Sequence, residues 1–231
     1  MILMMDVEKT YDNGVTALSG INVDIEPGEF VYIVGPSGAG KSTLVKLIYR
    51  EVKPTKGEIV VNNTKLNKLK EREIPYLRRE IGVVFQDFKL LPKLSAYENV
   101  AFALEVIEEH PRVIKKRVME VLELVGLSEK AQSLPHELSG GEQQRLSIAR
   151  AIANQPKIVI ADEPTGNLDP DTSWEIMRVF EEINDRGTTV IMATHSKEIV
   201  NTMKKRVIAI EDGIIVRDEH GGEYGYEDED I

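Results

Sequence analysis

The stretch that decides the fold is Gly35-Pro36-Ser37-Gly38-Ala39-Gly40-Lys41-Ser42. It follows the apolar run Phe30–Val34, which stops at the first glycine as a buried strand would. It precedes Thr43–Tyr49, which reads as a helix. The pattern G-x-x-x-x-G-K-[ST] in that setting is a way of wrapping a chain of phosphates. The glycines let backbone N–H groups close on the anion, and the positive end of the following helix points at it. Lys41 would neutralise the outer phosphate oxygens, and Ser42 would offer its hydroxyl to Mg2+. The bland alternative is a glycine turn between strand and helix, which the flanking elements and the next motif disfavour.

That next motif is a second apolar run, Ile158–Ala161, ending in Asp162-Glu163. In an α/β sheet the carboxyl ends of strands face the ligand crevice. Asp162 would there hold Mg2+ mainly through its waters, and Glu163 would orient or polarise an attacking water. Alone, the pair reads more simply as a solvated acidic turn before Pro164. A third stretch, Leu138-Ser139-Gly140-Gly141-Glu142, opens a helical segment. Ser139 suits an N-cap, and the two glycines permit close approach of a phosphate. An ordinary capped helix fits these residues equally well.

Outward from these motifs the chain alternates strands and helices. Buried-strand runs recur at Ile81–Phe85, Thr189–Ala193 and Val207–Ile210. Such alternation predicts a mainly parallel α/β core. The N-terminal part is β-rich, with runs around Val7 and Ile21–Ile25, a hairpin signal at Asn13-Gly14 and a turn at Pro27-Gly28. Gly57–Val61 is a further strand candidate. Residues 93–153 form a helical insertion: Ser95 with Glu98 fits a capping box, and Ile114, Val118, Val121, Leu122 and Val125 form a helical stripe. Lys65–Arg79 reads as the solvated face of a helix, with contact to anionic lipid as the sharper alternative. The expected organisation is one domain over 1–220, with a flexible acidic tail over 221–231.

The 231 residues suit one domain. The net charge of −10 is uneven: from Glu211 onward nine acidic residues meet one basic residue, leaving the body near −2. This acidity is expected to describe a tail rather than the fold, and it gives no nucleic-acid footprint. Cysteine is absent, which excludes disulfides and thiolate zinc sites. No run approaches the ~20 apolar residues that span a bilayer, and no signal peptide is expected from the first residues. Any action at a membrane would therefore pass through another chain.

Taken in order, GPSGAGKS, LSGGE and IVIADEP resemble the ABC ATPase domain of the P-loop NTPases, over nearly the whole chain. The resemblance implies a mainly parallel core sheet, an N-terminal antiparallel β subdomain and a helical insertion subdomain. It implies ATP and Mg2+ as ligands. By that resemblance Gln86 is the Q-loop residue touching metal and water, Asp169 couples two protomers near the nucleotide, His195 bridges to the γ-phosphate, and Tyr11 stacks on adenine. Thr43 completes the nucleotide-binding set that begins at Gly35. The signature departs from the common LSGGQ in having Glu142, while Ser139, Gly140 and Gly141 keep the expected γ-phosphate contact. ABC domains close as head-to-tail dimers, each ATP lying between the phosphate loop of one protomer and the signature of the other.

Within the family, EIPYLRREIGVVFQDFKLLP (73–92), ADEPTGNLDP (161–170) and MATHSKEIVNT (192–202) resemble the FtsE branch of bacterial cell-division ATPases. That branch implies a membrane partner, FtsX, control of cell-wall hydrolases, and a position on the cytoplasmic side of the membrane. The partner's helix would dock near Phe88–Pro92. ATPases of lipoprotein-release or macrolide-export systems share much of the 161–170 region and remain an alternative. A soluble DNA-repair or translation ATPase, and a nucleotide-sensing scaffold with negligible turnover, are the readings from other classes.

Overall fold

Continuous apolar runs become buried strands, and the chain's order follows from them. The computed structural model describes residues 1–225; positions 226–231, most of the acidic tail expected over 221–231, lie outside the described residues. The elements are β1 (Ile2–Thr10), β2 (Thr16–Ile25), β3 (Phe30–Val34), α1 (Lys41–Ile48), β4 (Lys56–Val61), β5 (Thr64–Lys65), α2 (Ile74–Arg79), β6 (Ile81–Phe85), α3 (Ala96–Glu105), α4 (Pro111–Leu124), α5 (Gly140–Ile152), β7 (Ile158–Asp162), α6 (Pro170–Asp185), β8 (Thr189–Ala193), α7 (Lys197–Met203), β9 (Arg206–Glu211) and β10 (Ile214–Glu219). Two compact units arise: Met1–Leu77 with the chain from Thr189 onward, and Arg78–Thr188.

The first unit holds two sheets. One is antiparallel, in the order β2-β1-β4-β5. Its buried side chains, among them Ile2, Met4, Val7, Leu18, Ile21, Ile25, Ile59 and Val61, supply a core. The turn at Asn13-Gly14 closes the β1–β2 hairpin, with Gly14 at φ 83°. The β1 ladder slips between Met4 and Val7, where Asp6 takes φ 51° and its N–H donates to Asn22 Oδ1 at 2.9 Å. The other sheet runs β10-β9-β3-β8 within this unit. β3 is parallel to both β8 and β9, and β10 returns antiparallel to β9. Every residue of β3 and β8 is buried, as expected for strands of a parallel sheet covered on both faces. α1 packs Leu44, Val45, Leu47 and Ile48 inward. At about 2 kcal/mol for each buried side chain, that packing holds a helix too short to persist alone.

In the second unit β6 and β7 pair in parallel, with Phe85 opposite Asp162, and α3, α4 and α5 pack on one another. Ser95 caps α3 as expected: its side chain accepts from Glu98 N–H, and the Glu98 carboxylate accepts from Ser95 N–H at 2.7 Å. α4 begins at Pro111 and buries Ile114, Val118, Val121 and Leu122. No helix among the described residues is long and apolar enough to cross a membrane.

Three expectations are refined. The 65–79 region forms 3-10 turns and the six-residue α2 rather than one continuous helix face, because its buried residues, Leu66, Ile74 and Leu77, are too widely spaced for a helical stripe. The C-terminal acidity is partly built into the fold. Asp218 accepts from Arg206 at 2.8 Å in β10, a strand the composition hid, and Glu223 pairs with Lys204. The start of the expected tail is tied down too: Tyr224 N–H donates to Asn201 Oδ1 at 2.7 Å, and Gly222 is buried.

Candidate active site

The phosphate loop sits in the first unit, where β3 ends and α1 begins. Gly40 caps α1 with φ 108°, a conformation that L side chains rarely adopt. A Cβ there would lie 2.5 Å from Ala17 O and 2.7 Å from Leu18 Cδ2. At Gly35, with φ 142°, a Cβ would fall on the carbonyl of Ile210. Both ends of the loop are therefore closed to side chains, leaving a cradle of backbone. Pro36, Ser37, Gly38 and Ser42 are exposed, while Ala39 is buried as the loop's anchor. Ala39 O accepts from Gly213 N–H at 3.1 Å, and Gly213 O accepts from Ser19 N–H at 2.8 Å. Lys41 Nζ donates to Gly35 O at 2.8 Å and Pro36 O at 3.0 Å, so the ammonium stands directly over the loop.

Tyr11 and His195 belong to this unit as well. Tyr11 Oη lies 3.2 Å from Thr43 Oγ1 in the first turn of α1. Lys9 Nζ sits 5.0 Å from the Tyr11 ring centroid, within cation–π range. His195 is exposed beyond the carboxyl end of β8. Since β8 is parallel to β3 and Thr194 N–H donates to Ile33 O at 3.2 Å, His195 and the phosphate loop leave the same edge of neighbouring strands.

The second unit carries the remaining expected residues. Asp162 closes β7 and Glu163 follows at φ 50°, left-handed for a non-glycine residue. Such a conformation costs about 1–3 kcal/mol and persists where the surroundings enforce it. Gln86 leaves the adjacent β6. Its Nε2 donates to Asn167 Oδ1 at 3.5 Å, and Asn167 Nδ2 donates to Gln86 O at 3.4 Å. Asn167 was not singled out in the sequence; its signal, the stretch 161–170 between strand and helix, was available. Asp169 caps α6, accepting from Thr172 N–H at 3.0 Å. The Thr172 side chain and backbone hold its carboxyl below the usual aspartate range.

Ser139 caps α5 in a reciprocal box. Its Oγ accepts from Glu142 N–H at 3.3 Å, and Glu142 Oε2 accepts from Ser139 N–H at 2.8 Å. The Ser139 backbone bond draws the Glu142 carboxyl below its ordinary value, aided by Lys130 and Arg145. This gives Glu142 a local purpose: it completes the cap. The two signature glycines differ. A Cβ on Gly141 would strike Thr172 Cγ2, so packing demands glycine there. A Cβ on Gly140 would meet only Leu168 Cδ2, at an ordinary 3.6 Å. Packing therefore does not require glycine at position 140.

The donor set fits the expected ligands. A glycine-walled backbone cradle under an ammonium suits a triphosphate.

Comparison with known proteins agrees with this chemistry. Residues 18–166 match the family described as ABC transporter. The chain is 73% identical to the cell division ATP-binding protein FtsE of Bacillus subtilis, covering 97% of this chain and 99% of that protein. It is 64% identical to the protein of the same name from Streptococcus pneumoniae, over 99% of both. Among solved structures it resembles the dimeric post-hydrolysis state of the ATP-binding cassette MJ0796 bound to ADP and Pi, with TM-score 0.86, 40% identity and coverage of 96% and 99%. A strand-bounded phosphate loop, an acidic strand end and a capped Ser-Gly-Gly helix, joined to this degree of likeness, place the chain in the ABC ATPase family, in its FtsE branch.

Proposed function

We propose that the chain is the ATP-hydrolysing subunit of a membrane complex acting in bacterial cell division, with an FtsX-like membrane protein as its partner. The observation that carries the hydrolytic reading is the backbone cradle closed at Gly35 and Gly40 beneath the Lys41 ammonium. The names of the near-full-length relatives support the division role.

Residues Gly35 to Thr43 bind the phosphates through backbone N–H groups and the helix end, with Lys41 neutralising charge as it develops on the transferred group. Tyr11 supports the base. Ser42, Asp162 and Gln86 would hold Mg2+, which supplies charge neutralisation for the phosphates when bound. Glu163 holds the attacking water in line and takes up its proton. His195 donates to the γ-phosphate. Ser139 to Gly141 receive the ATP of a second copy of this chain, giving an ATP-dependent head-to-tail homodimer in which Asp169 and its loop face the partner protomer. The single domain over 1–220 is thereby attached peripherally to the cytoplasmic face of the membrane, through the partner that docks near 86–92.

Two measurements test this. Glu163→Gln should bind ATP at wild-type affinity and lose about 100-fold or more in turnover; unchanged turnover would remove Glu163 from that role. Mild crosslinking in native membranes, followed by identification of what joins the 86–92 segment, should return a division protein. A transporter permease, or no membrane protein, would overturn the division role and leave the ATPase chemistry standing.

A further inference from the structure

Arg150 stands near the C-terminal end of α5 and serves neither the cap at Ser139 nor the acidic end of β7. Its guanidinium reaches the loop after β6: Nη1 donates to Lys89 O at 2.6 Å and Nη2 to Phe88 O at 3.0 Å. Both loop residues are left-handed, at φ 58° and 49°; local backbone bonds, Phe88 N–H to Phe85 O at 3.2 Å and Lys89 N–H to Asp87 O at 2.6 Å, shape the turn, and the loop is tied to α5 by the Arg150 side chain. Its far end is held by Asn99, which is fully buried and donates to Leu91 O, Leu94 O and Ser95 O at 2.8–3.1 Å while accepting from Leu91 N–H. Among the described residues the Arg150 charge meets carbonyls and no carboxylate. Burial draws its pKa down. A half-buried guanidinium without a counter-charge is a costly way to fasten a loop, and lysine cannot reproduce its two-pronged reach.

The helix that carries Arg150 is also pressed onto β6. A Cβ on Gly82 would collide with the carbonyl of Ala151, one residue beyond Arg150. The strand leading to Gln86, the 88–91 loop and the C-terminal end of α5 are thus fastened at neighbouring points. The other end of the same helix, about 16 Å away at 1.5 Å per residue, is the Ser139–Gly141 anion site.

We infer that Arg150 is a positioning residue that makes the 88–91 loop and α5 move as one body, so that nucleotide contact at Ser139–Gly141 is felt at the loop. The inference rests on the reading of Ser139–Gly141 as a second nucleotide contact, and it assigns the coupling to a rigid helix and one side chain.

Hydrogen exchange on the full chain, with Glu163→Gln present to prevent turnover, tests it with and without Mg-ATP. With Arg150 intact, Mg-ATP should slow exchange at 139–143 and also change it at 88–91, by about fivefold or more. With Arg150→Gln, the change at 139–143 should persist while the ATP-dependent difference at 88–91 vanishes. A merely structural role would shift exchange at 88–91 equally with and without nucleotide. Arg150→Lys, which preserves the charge and guards against a misfolded variant, should also lose most of the linked change. An ATP-linked change at 88–91 that survives either substitution, or a change at 139–143 with none at 88–91 when Arg150 is intact, overturns the inference alone. No change at 139–143 with Arg150 intact overturns the second nucleotide contact, and the inference with it.

Discussion

Ser139 caps α5, and the proposed function gives it a phosphate contact as well; the two roles can be separated. Its Oγ accepts one backbone N–H, from Glu142 at 3.3 Å, while the reciprocal bond into the Glu142 carboxylate uses Ser139 N–H and survives side-chain truncation. Ser139→Ala should therefore cost only about 1 kcal/mol of stability, lowering Tm by about 2–4 °C in a chain of this size. If the hydroxyl also donates to a phosphate, the lost charge-assisted bond is worth about 1.5–3 kcal/mol, which is about 10–150-fold in turnover. Ser139→Asn decides between the two, since asparagine caps a helix as well as serine does but offers no hydroxyl. The assay pairs calorimetric Tm with steady-state phosphate release. Ser139→Asn should recover the Tm and leave the activity low. Recovery of activity along with Tm would show that the cap alone matters, and the phosphate contact would be refuted. Full activity in Ser139→Ala would refute it more directly.

Asn99→Ala removes four hydrogen bonds from a fully buried side chain and strands backbone groups of the 91–95 loop. It should cost about 2–3 kcal/mol and about 5–10 °C in Tm; a loss too small to resolve by denaturant titration would mean that water replaces the amide. The caps predict an acid-side loss of stability. Glu142 and Asp169 have folded pKa values below their unfolded ones, so their contributions are complete above the ordinary carboxylate range and disappear as pH falls through the lowered values. The Tm difference between the native chain and Glu142→Gln should accordingly shrink on acidification, and a difference independent of pH would contradict the assigned cause.

The core was legible where strands are buried on both faces. Phe30–Val34, Ile81–Phe85 and Thr189–Ala193 coincide with β3, β6 and β8, since unbroken apolar runs between turn signals leave little choice. The antiparallel strands were legible only in fragments. β1 extends over Ile2–Thr10, but the irregularity around Asp6 interrupts its alternation. β10 was hidden because its apolar start, residues 214–216, gives way to Arg217, Asp218 and Glu219, and Asp218 meets its charge partner in Arg206, twelve positions earlier in the sequence. At the site, the phosphate loop and the Ser139 segment were legible because glycines and a cap dictate their local geometry, whereas Tyr11, Gln86 and His195 were legible only through the family resemblance. Asn99 and Arg150 were not visible in the same way. Their roles are set by carbonyls brought near by folding, and an isolated Asn or Arg in a sequence carries no mark of which carbonyl it will meet.

The arrangement of the two units has a consequence for the protein's birth on the ribosome. The second unit is one uninterrupted stretch, Arg78–Thr188, enclosed between the halves of the first. β3, which presents the phosphate loop, pairs with β8 and β9, with Phe30 opposite Val190 and Val34 opposite Ala209. At synthesis rates of about 5–20 residues per second, β3 waits on the order of ten seconds or more after it emerges before either neighbour exists. During that interval a fully apolar strand has no sheet to join, and the loop after it lacks the Gly213 brace on Ala39. Nucleotide binding is thus deferred until β8 and β9 have emerged, and a product truncated before Thr189 would present an orphaned strand to chaperones and proteases rather than a partly working ATPase.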